Sequence, residues 1–549
     1  MLIRLVNKQR ERFDDLDYIL FPIDASITAL PESRGLLWRL VNFQTPWSLV
    51  EIDNAFRRIA DDPRPKGVVL LLRGAMPPSA DLQTLRNSIL RLREKGKRVV
   101  CYAQGYDTAS YYLASAADEV LLQTGGTLLT LGLRQNILYW KDALERIGVE
   151  VESVQVTPFK SAFETLTSST ISPEAEAQVN WLLDSIYNTL VQDIAAGRNL
   201  SEDTVRHMID EGLHTDKAAL AAGYVDATLN EEALAEHLGV KHVVAWEQAE
   251  KKLYLQWRKP SSRYVALLKI NGLIVQGESR SAPGGIPVPV FDDGRAGDVT
   301  IVQQVRRLID DERAAALVVY VDSGGGDAAA SEAMTAALEE LGKKLPIVAY
   351  MHNTAASGGY YVATPARWIV AQPLTITGSI GVVSGKANAG GAYKKLRINP
   401  IEYIRGANAS LLSDTAPLTE DQRRKLEAVI ARAYEQFKER VAASRGMTVE
   451  AVDAVGGGRV WTGQQAYAHG LVDELGDLRA ALNKARSLAK VPDTTPLVMV
   501  KPPRGDAVGP RIVERVNPAA GIRYMLHGIR ATYNGRAQLL MPFKLNIKS

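Results

Sequence analysis

The chain is written twice. GVVLLLRG (67–74) answers to ALVVYVDSGG (316–325), and KRVVCYAQGYDTASYYLASAADEVLL (97–122) answers to LPIVAYMHNTAASGGYYVATPARWIVA (345–371). Tyr111-Tyr112 and Tyr360-Tyr361 stand 249 residues apart (360 − 111), as do Gly197 and Gly446, and Gly223 and Gly470 stand 247 apart. An offset that steady across separate landmarks makes a tandem duplication the first constraint on the fold. It also suits a length of 549 residues, because single hydrophobic cores stop growing at roughly 250–300 residues.

Within each copy, unbroken Val/Leu/Ile runs alternate with helical segments. Such runs suit parallel strands covered on both faces, so the expected class is α/β, with mainly parallel sheets flanked by helices. Ser172-Pro173 opens one long helix as N-cap and first-turn proline, and Thr419 with Gln422 makes a capping box for its counterpart. Gly197 and Gly446 are expected to end these two helices. The polar stretch WRKPSSR (257–263) divides the copies. The expected domains are therefore 1–256, 257–490 and a C-terminal extension, 491–549. GESRSAPGGIPVPVFDDGRAG (277–297), rich in Gly and Pro, reads as a long loop beside a site in the second copy.

Composition removes several classes. The net charge of +3 gives no footprint for a nucleic-acid partner. A lone cysteine, Cys101, excludes a disulfide framework and a cysteine-based zinc site, and the absence of HExxH excludes that type of zinc peptidase. No metal or cofactor is expected. No apolar run reaches the roughly 18 residues of a membrane span, which leaves a soluble or peripheral protein. The tail from Lys501 to Ser549 carries nine Lys/Arg against two Asp/Glu, with Ile522, Met525, Leu526 and Ile529 at helical spacing. It reads as a terminal helix packed on the body, or as an amphipathic helix on a membrane surface.

Chemistry concentrates in NTAASGGYYVATPA (353–366), where a strand, a small-residue turn and a helix ending near Pro365 place Ser357 at a helix N-terminus. Free first-turn amides there can receive an oxyanion. Ala355 breaks the G-x-S-x-G elbow, and no Ser-His-Asp triad is indicated. His352, five residues before Ser357, is assigned a structural role. A second glycine cluster, VDSGGGDAAASE (321–332), follows another strand. Parallel strands share one C-terminal edge, so Gly358 with Gly325 or Gly326 can supply two oxyanion donors.

The serine needs a base, and the duplication indicates one. Position 108, equivalent to 357 at the offset of 249, holds Thr108; position 409, equivalent to 160, holds Ala409. Each copy thus keeps half of a Ser/Lys pair, Ser357 in the second and Lys160 in the first, and the halves are expected to meet where the copies face each other. A lysine works as a base once desolvation lowers its pKa.

These segments resemble the signal peptide peptidase A family in its long, two-copy form, serine peptidases of the ClpP/crotonase superfamily. The resemblance rests on AASGGYYVATPA (355–366), Thr377-Gly378-Ser379-Ile380-Gly381, FKSAFE (159–164) and RVWTGQQAYAHGLVDELGD (459–477), and covers roughly residues 50–490. It implies a tandem ClpP/crotonase-like fold, Ser357 as nucleophile, Lys160 as general base, and Ser379 orienting the lysine amine. The family's Ser-Pro-Gly-Gly reads Ser323-Gly324-Gly325-Gly326 here, without the proline. The resemblance further implies hydrolysis of short hydrophobic peptides such as signal-peptide remnants, a tetrameric ring of identical chains, and a bacterial, membrane-associated setting. A cytoplasmic setting is the alternative, as no transmembrane helix is read. Two rival readings accompany it: a catalytically inactive oligomeric scaffold of the same fold, and acyl-CoA chemistry using the same pair of amides.

Overall fold

The computed structural model describes residues 2–11, 16–31, 47–255, 261–280, 294–501 and 538–540. The chain divides into two compact units, one drawn from residues 1–135 and 184–260, the other from 136–183 and 261–545.

In chain order the strands begin with β1 (Tyr18–Ile23), β2 (Gly67–Leu72), β3 (Arg98–Asp107) and β4 (Glu119–Leu129). Next comes β5 (Glu150–Gln155), a strand of the second unit. The first unit resumes with β6 (Leu213–Thr215), β7 (Ala227–Thr228) and β8 (Val244–Ala245). Its sheet runs β6-β4-β3-β2-β1-β8, with β7 also on β4. Among the described residues of this sheet, only β6 is antiparallel to its neighbour. All six residues of β2, GVVLLL, are buried, which requires cover on both faces. Helices α1 (Leu49–Asp61), α2 (Ser79–Glu94) and α3 (Thr108–Ala114) join these strands.

Helix α4 (Pro173–Arg198) starts where Ser172-Pro173 predicts, but Gly197 does not end it. The left-handed residue is Asn199, φ 55°. Gly197 is needed for proximity: a Cβ there would lie 2.1 Å from the Ser115 carbonyl oxygen.

The second unit contains β9 (Tyr264–Asn271), β10 (Leu273–Val275), β11 (Arg295–Gly297), β12 (Ala314–Ser323), β13 (Gly325–Asp327), β14 (Ile347–Ala356) and β15 (Trp368–Ala371). It continues with β16 (Ile376–Gly378), β17 (Val383–Asn388), β18 (Val460–Thr462), β19 (Glu474–Leu475), β20 (Leu497–Met499) and β21 (Gln538–Leu540). Its main sheet runs β18-β16-β14-β12-β9-β20. Position by position this repeats the order of the first unit, with the single β4 replaced by β15 and β16. The fold is α/β, a tandem duplication with mainly parallel sheets flanked by helices. Helices α5 (Asp298–Asp310), α6 (Ala328–Gly342), α7 (Gly358–Tyr361) and α8 (Glu420–Arg445) belong to this unit. Thr419 and Gln422 form the predicted capping box of α8, and Gly446 closes it in the left-handed conformation.

A second sheet in this unit runs β11-β10-β13-β21-β17-β5. Here the chain departs from a division at residue 257. Strand β5 pairs antiparallel with β17 over six residues, from Glu150↔Asn388 to Gln155↔Val383, and Val154 joins the core of this unit. Segment 136–183, though part of the first copy in sequence, therefore packs in the second unit. Most of loop 277–297 and the tail helix expected around 522–530 lie outside the described residues. Among the described residues, no helix is long and apolar enough to cross a membrane.

Candidate active site

Ser357 sits at the end of β14, without the intervening turn that the small residues suggest. The strand stays extended because Thr354–Ala356 change partner, pairing with Ile376–Gly378 of β16 after Val348–Met351 have paired with β15. The Ser357 amide donates to the Gly378 carbonyl (2.8 Å), and α7 starts at the next residue. Between strand and helix the serine adopts φ 57°, ψ −116°, a region that costs a residue with a Cβ about 1–3 kcal/mol. Ser379 also has positive φ, 52°. Strain of this kind persists only where surrounding structure enforces it, and here it falls on two of the three side chains that meet.

The third is Lys160. Its Nζ lies 2.7 Å from Ser357 Oγ, 2.8 Å from the Ser379 carbonyl oxygen and 2.9 Å from Ser379 Oγ. All three residues are 0 % exposed. Burial holds the lysine well below its usual pKa, and among the described residues no carboxylate offsets the effect. A neutral amine has two protons and one lone pair. Giving the protons to the two Ser379 oxygens leaves the lone pair for the Ser357 hydroxyl.

The lysine is placed by its own segment. The Val156 amide donates to the Val382 carbonyl (3.3 Å), continuing from the β5/β17 pairing. Thr157 Oγ1 donates to the Gly457 carbonyl. Downstream, the Trp181 ring stacks on Trp461 at 5.0 Å and donates to the Val460 carbonyl (2.9 Å), while Gln178 Oε1 accepts from the Val460 amide (2.8 Å). The two halves of the pair thus lie within one compact unit, through 136–183, and not where two separate lobes face each other. At the equivalent positions, Thr108 Oγ1 is buried without a hydrogen-bond partner among the described residues, and Ala409 lies exposed.

The glycine cluster reaches the same place. A Cβ on Gly358 would lie 2.8 Å from Ser331 Oγ, 3.1 Å from Gly325 Cα and 3.2 Å from the Gly326 nitrogen. Ser323 Oγ donates to the Gly272 carbonyl (2.6 Å) and accepts from the Gly325 amide (3.1 Å). This anchors the loop that lacks the proline. The Gly325 amide is engaged there. His352 is apart from the cluster: its Nδ1 is 3.2 Å from the Tyr350 hydroxyl and its ring 5.1 Å from that of Tyr320.

Sequence reasoning gave Gly381 no role of its own and passed over Gly458. A Cβ on Gly381 would lie 3.3 Å from Lys160 Cδ, and one on Gly458, where φ is +87°, 2.6 Å from the Lys160 backbone. The run Gly456-Gly457-Gly458 was the available signal. Gly458→Ala is expected to displace Lys160, costing roughly 2–3 kcal/mol of stability. Thermal melts check this; an unperturbed melt contradicts it.

Residues 91–244 and 339–492 each match the profile of Peptidase family S49, their starts 248 residues apart (339 − 91). Over 463 residues the chain is 31% identical to "Protease 4" of Haemophilus influenzae, covering 80% of this chain and 73% of that one. It is 32% identical over 474 residues to "Protease 4" of Salmonella typhi, with 81% and 72% covered. It is 28% identical over 501 residues to "Serine protease SPPA, chloroplastic" of Arabidopsis thaliana, with 89% and 72% covered. Two family matches spanning more than half of the chain, one in each copy, place it: this protein belongs to peptidase family S49.

Proposed function

We propose that the protein is a serine endopeptidase working through a Ser357/Lys160 dyad on short apolar peptides, signal-peptide remnants among them. The observation that carries the reading is a lysine amine, buried with no offsetting carboxylate, 2.7 Å from a serine hydroxyl in strained backbone. In acylation, neutral Lys160 takes the Ser357 proton as Oγ bonds to the peptide carbonyl carbon. The Gly358 and Gly326 amides hold the resulting oxyanion. The lysine then gives its proton to the departing amine, and water hydrolyses the acyl-enzyme with the lysine again as base. Ser379 keeps the amine aimed through its two oxygens. Assembly into a ring of identical chains, a tetramer, with peripheral membrane contact, belongs to the same proposal.

The inactive scaffold is the second reading. A fluorophosphonate probe separates them: the full chain is expected to label, with labelling lost in Ser357→Ala and in Lys160→Ala. Absence of labelling on the folded, assembled protein favours the scaffold and overturns the peptidase reading.

A further inference from the structure

Helix α7 is a single turn, Gly358–Tyr361, and carries the Gly358 amide immediately after Ser357. A helix this short has no stability of its own, so what its side chains hold sets its orientation. The Tyr360 hydroxyl donates to the Leu471 carbonyl (2.8 Å). Tyr361, 3 % exposed, donates its hydroxyl to Glu332 Oε2 (2.5 Å). Glu332 lies on α6, the helix that continues from the glycine strand β13. Arg440 of α8 closes the group. Its Nε donates to Glu332 Oε2 (2.9 Å), its Nη2 to Glu332 Oε1 and its Nη1 to Glu339 Oε1. The Tyr361 ring also packs on Phe437 of α8, with centroids 4.8 Å apart. Burial would raise the Glu332 carboxyl, and the bonds from Arg440 and Tyr361 more than reverse this, so it stays charged.

This clamp ties together the two segments that bear the proposed oxyanion donors. Gly326 stands just before α6 and Gly358 opens α7, and the two nearly touch: a Cβ on Gly358 would lie 3.2 Å from the Gly326 nitrogen and 2.8 Å from Ser331 Oγ of α6. A tilt of α7 or a slide of α6 therefore changes the gap between the amides. The first copy supplies a contrast. At the offset of 249, Tyr361 corresponds to Tyr112 and Glu332 to Gln83 (361 − 112 and 332 − 83). The Tyr112 hydroxyl donates to Asp193 of α4 (2.6 Å), which pairs with Arg86 of α2 at 3.9 Å. Each copy thus knots this tyrosine to an ion pair. In the first the accepting carboxylate stands on α4; in the second it stands on α6, the helix that follows the glycines.

We infer that Tyr361, Glu332 and Arg440 are positioning residues, which fix the spacing of the Gly326 and Gly358 amides and so govern turnover rather than peptide binding. The inference rests on the peptidase reading. Negative charge reaches the carbonyl oxygen only as Ser357 Oγ bonds to the carbon. A shift of the amides therefore weakens the transition state and leaves the bound peptide nearly as it was.

The test compares Tyr361→Phe with Tyr112→Phe, each in the full chain, on a fluorogenic apolar peptide. Each variant removes one hydroxyl bonded to a carboxylate, so the two are expected to lose similar amounts of melting temperature. Tyr361→Phe is expected to lower kcat roughly ten-fold with KM unchanged, short of the ~100-fold that 1 Å of misplacement costs. A peptide aldehyde accepts Ser357 Oγ at its carbonyl carbon, the proton passing to Lys160, and its oxyanion then meets the same amides. It should bind Tyr361→Phe about ten-fold less tightly, while Tyr112→Phe matches the parent in both measurements. Should Tyr361→Phe not fold, Glu332→Gln, which keeps the shape of the side chain and breaks the ion pair, carries the same expectation. Parent-like kcat and aldehyde affinity in the folded variant, or equal losses in Tyr112→Phe, overturn the clamp and leave the dyad standing. Absence of Ser357-dependent turnover in the parent overturns the peptidase reading, and the inference with it.

Discussion

Lys160→Met is expected to cut peptide hydrolysis about 10³-fold, within the range contributed by a positioned general base, and to raise the melting temperature at pH 7. The two effects share one cause. In the fold the amine is buried and held well below its ordinary pKa, whereas in the unfolded chain it keeps a proton up to about pH 10.4. Folding must therefore expel that proton, and the cost is complete below the folded-state pKa and fades as pH climbs to the unfolded one. Methionine, of similar length and apolar, avoids the cost. Its stabilising gain should accordingly be largest at low and neutral pH and shrink toward pH 10, as read from melts across that range. In the parent, activity should rise with pH through the lowered lysine pKa. Lys160→Arg should be as inactive as methionine and less stable, because guanidinium stays charged when buried. An active arginine variant, or a methionine gain as large at pH 10 as at pH 7, would sink the neutral-base assignment.

Ser357→Ala and Ser357→Gly should both lose activity by about 10⁴-fold or more, as removal of a nucleophile does, yet differ in stability. At φ 57°, ψ −116° alanine keeps the strain of its Cβ, about 1–3 kcal/mol. Glycine escapes it and gives back about 0.5–1 kcal/mol through its freer unfolded chain. The glycine variant should come out roughly 1 kcal/mol more stable in urea titrations. Alanine matching or exceeding glycine would show that the fold does not strain this residue.

The duplication and the α/β class were legible because they are written in periodicity and in repeated landmarks. The pairing of Lys160 with Ser357 was legible because each copy lacks what the other retains. Membership of 136–183 in the second unit was not: it depends on β5 pairing with β17, more than two hundred residues downstream, and nothing in EVESVQ or VSGKAN names its partner. The conformation of Ser357 was hidden for a different reason. AASGG reads locally as a turn, and only the exchange of partners from β15 to β16 keeps it extended up to the serine. Gly197 misled because a glycine near a helix end fits both a cap and a close approach; the Ser115 carbonyl decides for the latter. Three-residue β21 is too short to leave any periodic trace.

The assignment of 136–183 to the second unit also bears on when the proposed dyad can assemble. A ribosome delivers Lys160 197 residues (357 − 160) before Ser357, about 10–40 s earlier at roughly 5–20 residues per second. Under the proposed dyad, the nascent protein in that interval has its base without its nucleophile, and β17, the strand that pairs with the lysine's own segment, has not yet been made. On that reading, reactivity is withheld from the growing polypeptide by the order of its own translation.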